Sequence, residues 1–359
     1  MLAPSVPRIS ASPLLLALFA LNGVTVSTLY WAQSLAPLAR AELGPSIWMS
    51  QMPSATLVGY ALGVAALAGL ARDLTTANGL GLHALLLGLG LGAGAVAQQP
   101  PLMMLASLVV GIGCSLTQRA LACAASAVSP ASRGPVIGGI IASGLAGIVA
   151  ARALVPAASA ALGWRTMFML DAGLVCCCGI GAAIAVKYID RRGWEMDAAP
   201  VPGPLALWRS EPVLRRAALQ QGLVFAMFNF GWALFPRLLI RGDAAGAFWM
   251  GSVASFGAGA ALAAGWACRR WRPGAVSRLG LSMVIFAGVL ALQANGAAPL
   301  ALIAMALLDV GTQTSLVANQ ARAQALATSP AMRGRLAAMV TTTGFTAGAV
   351  GAALGNVMP

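Results

Sequence analysis

Apolar residues in this chain neither alternate with polar ones nor recur at the three-to-four spacing of a surface helix. They form near-continuous runs of 16 to 27 residues, broken by short stretches rich in Arg, Pro and Gly. A bilayer core about 30 Å thick needs roughly 20 mostly apolar residues per helix. The pattern therefore predicts eleven membrane-spanning helices: Leu14–Leu38, Ile47–Leu70, Leu80–Ala97, Leu102–Val128, Val136–Leu162, Met167–Val186, Ala217–Leu239, Phe248–Ala267, Leu279–Ala294, Leu300–Leu326 and Leu336–Met358. A membrane barrel would instead show a two-residue alternation of lipid-facing and lumen-facing positions.

Composition agrees with this pattern. The 359 residues are 59% hydrophobic and 9% charged, against roughly 45 to 50% and about 25% in a soluble domain. The net charge of +13 raises the question of nucleic acid, which needs basic residues clustered on a foldable soluble face. Here they fall in the connections between apolar runs, so no nucleic-acid partner is expected and topology explains them. One set of alternate loops carries Arg8, Arg72, Arg133, Lys187, Arg191, Arg192, Arg209, Arg215, Arg216, Arg269, Arg270, Arg272, Arg278, Arg333 and Arg335, and the other only Arg40, Arg165, Arg237 and Arg241. Basic loops stay in the cytoplasm, which predicts a cytoplasmic N-terminus and, with eleven spans, a C-terminus outside. The first run is too long for a signal peptide. The six cysteines lie in or beside apolar runs and read as packing residues rather than a metal or disulfide framework.

The longest connection, Lys187 to Arg216, holds four prolines and four acidic residues and divides six helices from five. It predicts an N-terminal bundle over residues 1–190, a cytoplasmic linker over 191–216 and a C-terminal bundle over 217–359. An internal repeat supports the division. Ser129-Pro130-Ala131-Ser132-Arg133-Gly134 recurs 200 residues later as Ser329-Pro330-Ala331-Met332-Arg333-Gly334, and at the same offset Gly111 matches Gly311 and Gly144 matches Gly344. Paired helical repeats are the halves of transporters that rock about a midplane site.

Three further stretches carry a narrower likeness. Thr28-Leu29-Tyr30-Trp31-Ala32-Gln33-Ser34-Leu35, Leu308-Asp309-Val310-Gly311-Thr312-Gln313 with Asn319-Gln320-Ala321-Arg322, and Ser132-Arg133-Gly134 through Ala151-Arg152 to Gly163-Trp164-Arg165 resemble the first, tenth and fifth helices of the major facilitator superfamily, in its bacterial drug-efflux-like, drug:proton antiporter branch. The resemblance implies an all-α membrane fold of two helical bundles, here with about eleven helices and the family's twelfth missing. It also implies a bacterial inner-membrane location and a gate of charge pairs on the cytoplasmic side, for which Arg72, Asp73, Arg133, Arg269, Arg270 and Arg333 are the candidates. In the family that loop reads Gly-x-x-x-Asp-Arg before a basic cluster; here Arg72 precedes Asp73 and the cluster is gone, so the latch is weakened or rebuilt.

An ionisable group inside a membrane costs several kcal/mol and is a functional candidate by default. Asp309 is the sharpest. Burial favours a neutral carboxyl and a neighbouring Arg favours the anion, so a site that alternates between these settings can take and release a proton. Arg119 and Arg152 would serve as fixed counter-charges or anion contacts. Asp171 is expected to pair with Arg165, and His83 to be a core or lipid-edge residue. Asn22, Tyr30, Gln33, Gln118, Gln221, Asn229, Trp232, Gln313, Asn319 and Gln320 lie on helices that line the central cavity in the resembled family, and polar amides there predict a wet cavity.

These features predict a secondary transporter and not an enzyme. No nucleophile and base pair, P-loop, metal cluster or cofactor motif is visible, and no cofactor is expected. The partners expected are a small-molecule substrate, protons and the lipid bilayer, with the protein a monomer. The first reading is proton-coupled efflux of a small amphipathic or cationic molecule. The alternatives are an importer or facilitator of a small metabolite anion held by Arg119 or Arg152, and a non-transporting relative acting as sensor or scaffold.

Overall fold

The computed structural model describes residues 12–69, 77–126, 128, 133–189, 201–239, 244–293 and 298–358. Backbone amides have no water to bond in hydrocarbon, so chains of this composition satisfy them within helices. The helices are α1 (Ser12–Leu43), α2 (Ile47–Ser50), α3 (Met52–Gly69), α4 (Ala77–Val96), α5 (Pro100–Cys114), α6 (Leu116–Ser126), α7 (Arg133–Ala153), α8 (Val155–Leu162), α9 (Trp164–Ile189), α10 (Pro204–Ser210), α11 (Pro212–Leu239), α12 (Ala244–Arg270), α13 (Pro273–Gln293), α14 (Ala298–Gln324) and α15 (Pro330–Val357). Among the described residues seven helices are long and apolar enough to cross a membrane, or eight when α7 and α8 are taken as one bent span. The predicted spans at Ile47–Leu70, Ala217–Leu239 and Phe248–Ala267 are helical but not among these. α3 is short, and α11 carries Arg215, Arg216, Gln220, Gln221 and Asn229.

Local chemistry sets the breaks. Proline, which has no N–H to leave unbonded, opens α5, α10, α11, α13 and α15. The hydroxyl of Ser329 accepts from the Met332 amide and caps α15, so that copy of the Ser-Pro repeat is a helix-start signal; the other copy lies largely outside the described residues. Gly163, at φ +81°, ends α8 in the left-handed region that an L side chain avoids. α7 and α8 meet at 48°. Pro156 cannot donate to the carbonyl of Arg152 four residues back, which accounts for the bend.

Among helices α1–α9, the closest pairings are α4 with α9, α1 with α7 and α3 with α5; among α11–α15 they are α11 with α15, α13 with α14 and α12 with α14. The groups meet where α3 packs on α15 and α7 on α12. The repeat is visible in the packing. Gly147 of α7 lies against the Gly23 carbonyl of α1, and Gly351 of α15 against the Ala226 carbonyl of α11, in each case with no room for a Cβ. Gly144 sits one turn before Gly147, against Asn22, and Gly344 two turns before Gly351, against Gln221.

The predicted linker is only partly a free connection. α10 and the start of α11 lie within 191–216, and Leu207 and Leu214 are buried with Leu336 and Val340 of α15. Arg335 donates to the carbonyls of Val201 and Pro202 at 2.8 and 2.9 Å.

Candidate functional site

The breaks at Gly44 and Gly163, with the end of α13 and the start of α14, mark an arginine-poor face of the molecule, and those near Arg270 and Ser329 an arginine-rich one. Asp309 lies eleven residues, or about 16 Å, into α14 from the arginine-poor face, and Arg152 sits in the last turn of α7. Arg152 Nη1 donates to Asp309 Oδ1 at 3.2 Å, with both side chains 3% exposed. Trp232 Nε1 of α11 donates to the other carboxylate oxygen, Oδ2, at 3.2 Å. The guanidinium carbon stands 3.7 Å from the Trp232 ring centroid, 4.9 Å from that of Tyr30 and 5.2 Å from that of Phe228. Backing the carboxylate, Gly257 of α12 leaves a Cβ only 3.3 Å from that of Asp309. Burying two charges costs several kcal/mol per ion before attraction and hydrogen bonds repay it; here the second Asp309 oxygen and the faces of the guanidinium are both satisfied by aromatic side chains.

This pair joins helices from the two groups, and it is not the only tie. Gln33 Nε2 of α1 donates to Asn229 Oδ1 of α11 at 3.2 Å, and Gln51 Nε2 donates to the Ala353 carbonyl of α15 at 3.3 Å. All three ties lie toward the arginine-poor face. Deeper in, Phe345 of α15 packs between Tyr60 and Phe225, with ring centroids 4.4 and 5.0 Å away.

Several other predicted site residues are placed inside one helix group. Asn22 donates to the Ile140 carbonyl and Ser143 hydroxyl, holding α1 on α7. Gln118 donates to the Tyr60 hydroxyl. Asn319 accepts from Ser277 at 2.6 Å and Arg322 at 3.0 Å, and donates to Gln221 and Ser315, a knot that ties α11, α13 and α14. Gln320 reaches the Ala337 carbonyl and Thr341 of α15, and Gln313 is buried beside Gly257. Arg119 donates to Nδ1 of His83 at 3.1 Å, and Nε2 of His83 meets the Ser115 hydroxyl at 3.0 Å. His83 is therefore not a solitary residue but the joint between α4 and the α5–α6 break.

Of the gate candidates, Arg269, Arg270 and Arg333 are exposed on the arginine-rich face. Arg72 and Asp73 lie outside the described residues, and Arg133 opens α7 with its side chain outside them too. The expected Asp171–Arg165 pair does not form. Arg165 pairs with Glu42 at 2.8 Å and donates to the Ala95 carbonyl, whereas Asp171, turned into the bundle, accepts from Thr28 at 2.7 Å. Position in the run placed Asp171 near an interface; the face of α9 it occupies decided otherwise. Sequence reasoning did not single out Thr28 as the partner of Asp171, since that depends on which helix faces meet. An apolar groove of about 420 Å³ between α4 and α5 is lined by Leu89, Val96, Leu102 and Val109; the first three are exposed, and the groove reads as a lipid-packed surface.

Residues 15–352 match the Major Facilitator Superfamily. The putative uncharacterized transporter YgaY of Escherichia coli K12 is 26% identical over 235 residues, 65% of this chain and 60% of that protein; the match thus spans less than two thirds of its length. Among solved structures, the inward-facing, unoccupied form of a bacterial homolog of the human lysosomal transporter Spinster superposes with a TM-score of 0.73 at 17% identity, covering 96% of this chain and 82% of that one. The partially occluded, inward-open xylose transporter XylE of E. coli gives 0.69 at 12% identity, covering 96% and 91%.

Proposed function

Since the chain belongs to the Major Facilitator Superfamily, we propose that it is a proton-coupled secondary transporter working by alternating access, with Asp309 as the group that takes the proton. Eleven spans in two bundles, residues 1–190 and 217–359, cross the bacterial inner membrane with the arginine-rich face in the cytoplasm and the N-terminus on that side. The observation that carries the reading is the buried Arg152–Asp309 pair, an ionic tie between the two helix groups that protonation neutralises. A proton on Asp309 removes one charge of the pair and loosens the arginine-poor side, while deprotonation restores it. The cargo is a small amphipathic molecule, its apolar part matched by Tyr30, Phe228 and Trp232. Its charge fixes the direction: a cation competing with protons for Asp309 leaves in exchange for them, and an anion that pairs with Arg152 enters with them.

The test needs no cargo. Spin labels on α2 and at the end of α15, across the Gln51–Ala353 tie, report the opening of the arginine-poor face in nanodiscs. The wild-type distance is expected to lengthen as pH falls, and Asp309→Asn to hold the longer distance at every pH. An Asp309→Asn protein that keeps the wild-type pH response would end the assignment of the proton to Asp309.

A further inference from the structure

We infer that the charged group of the cargo is a carboxylate, held side-on by Nε and Nη2 of Arg152, and that it binds together with a proton on Asp309. This rests on the proton-coupling reading and adds the chemistry of the substrate to it. The guanidinium has two in-plane edges besides its tip. Nη1 serves Asp309; Nε and Nη2, the two parallel donors of one edge, are buried and have no hydrogen-bond partner among the described residues. Buried donors in native proteins are nearly always bonded, so a whole orphaned edge calls for an explanation. That edge is the fork which matches the two oxygens of a carboxylate. The rings of Trp232, Tyr30 and Phe228 hold the guanidinium, and the Asp309 bond fixes its rotation, so the orphaned edge is oriented in advance. Two more buried polar atoms without partners lie one turn away: Thr312 Oγ1, three residues beyond Asp309, and Gln33 Oε1, three beyond Tyr30.

Charge balance selects the sign of the ligand. Around Asp309 stand Arg152 from α7, Tyr30 from α1 and Trp232 from α11, with Gly257 of α12 behind it. An organic cation arriving at Asp309 would leave Arg152 buried without a counter-charge, the costly outcome for a buried pair. A carboxylate arriving at Arg152 while Asp309 takes a proton leaves the site neutral, as it was before. A phosphate dianion would leave one negative charge uncompensated. Anion and proton therefore favour each other's binding, which is the thermodynamic content of symport.

The experiment uses the full chain in nanodiscs and four probes of one body and different charge: benzoate, benzamide, benzylamine and phenyl phosphate, read by thermal stabilisation and tryptophan quenching at pH 5.5 and 8. Benzoate is expected to stabilise the wild type saturably, more at pH 5.5 than at pH 8, with benzamide and benzylamine at least tenfold weaker at both and phenyl phosphate at least tenfold weaker at pH 8, where it is the dianion. Arg152→Lys, which keeps the charge and loses the fork, should weaken benzoate at least tenfold. Asp309→Asn should bind benzoate at pH 8 as tightly as the wild type does at pH 5.5. Equal or stronger binding of benzamide or benzylamine at either pH or of phenyl phosphate at pH 8, absence of binding by all four, or an Arg152→Lys protein with wild-type affinity overturns the inference. Should Arg152→Lys fail to fold, the Asp309→Asn arm decides, and pH-dependent benzoate binding in that variant overturns it. The spin-label distances separate the two claims: a wild type that opens with acid yet ignores benzoate sinks this inference alone.

Discussion

Arg152 and Asp309 lie 157 positions apart in the chain and 3.2 Å apart in the fold, on helices from different halves of the sequence. Removing one partner of a buried pair leaves the other charge unpaired and typically costs about 3 to 5 kcal/mol. Arg152→Ala and Asp309→Ala should each lower the thermal midpoint strongly. The double variant should fall well short of the sum, because the second change relieves the charge left by the first. Unfolding midpoints of the three proteins in one detergent decide it; additive losses would mean the pair is not coupled.

A second tie is neutral. Gln33 and Asn229 share one bond at 3.2 Å near the arginine-poor face, worth about 1 kcal/mol net. Gln33→Leu is therefore expected to shift the population toward the state open on that face by about fivefold at fixed pH while leaving its pH response intact. Spin-label distance distributions read both quantities.

Glycine contacts give a packing prediction. A side chain at Gly147 or Gly351 would meet the backbone of the neighbouring helix, whereas Gly92 and Gly138 have open space around their would-be Cβ. Gly147→Leu and Gly351→Leu should each cost at least the 1 to 3 kcal/mol of an overpacked core and reduce the monodisperse fraction on size exclusion, with Gly92→Leu near wild type.

How much of this was legible beforehand varies by level. The apolar runs located α4 and α9 to within three residues at each end because burial in lipid is a one-dimensional property of the chain. The breaks at Ser115 and Leu154 were not foreseen, since a mid-run proline such as Pro156 is common in membrane helices and does not by itself announce a bend. At the site, Asp309 and Arg152 stood out individually as rare charges in apolar runs. Their meeting could not be read, because it depends on the mutual rotation of α7 and α14. The same holds for the amides: Gln33 faces the other half, while Asn22 and Asn319 spend their hydrogen bonds inside their own. The side-chain amide is the same group in the two cases and only the tertiary partner differs.

Asp171 offers a further check on that partner rule. It is buried and accepts from Thr28. Asp171→Asn keeps an acceptor oxygen for the hydroxyl and should change stability little, whereas Asp171→Leu leaves Thr28 only the Val24 carbonyl of its own helix and should cost about 0.5 to 1.5 kcal/mol, the worth of a lost inter-helix bond. Thermal midpoints of the two variants, side by side, give the answer.

The bend between α7 and α8 falls directly after Arg152, one of the residues that tie the two halves together. With Pro156 interrupting the backbone ladder at Arg152, what would be one stiff rod becomes two levers with a fulcrum at the guanidinium. The outer lever can tip away from its neighbours while the inner one, and the charge it carries, keeps its bearing. In the alternating-access cycle proposed above, opening toward one side of the membrane would then cost a local flexure at a joint the chain already provides, instead of the displacement of an entire span.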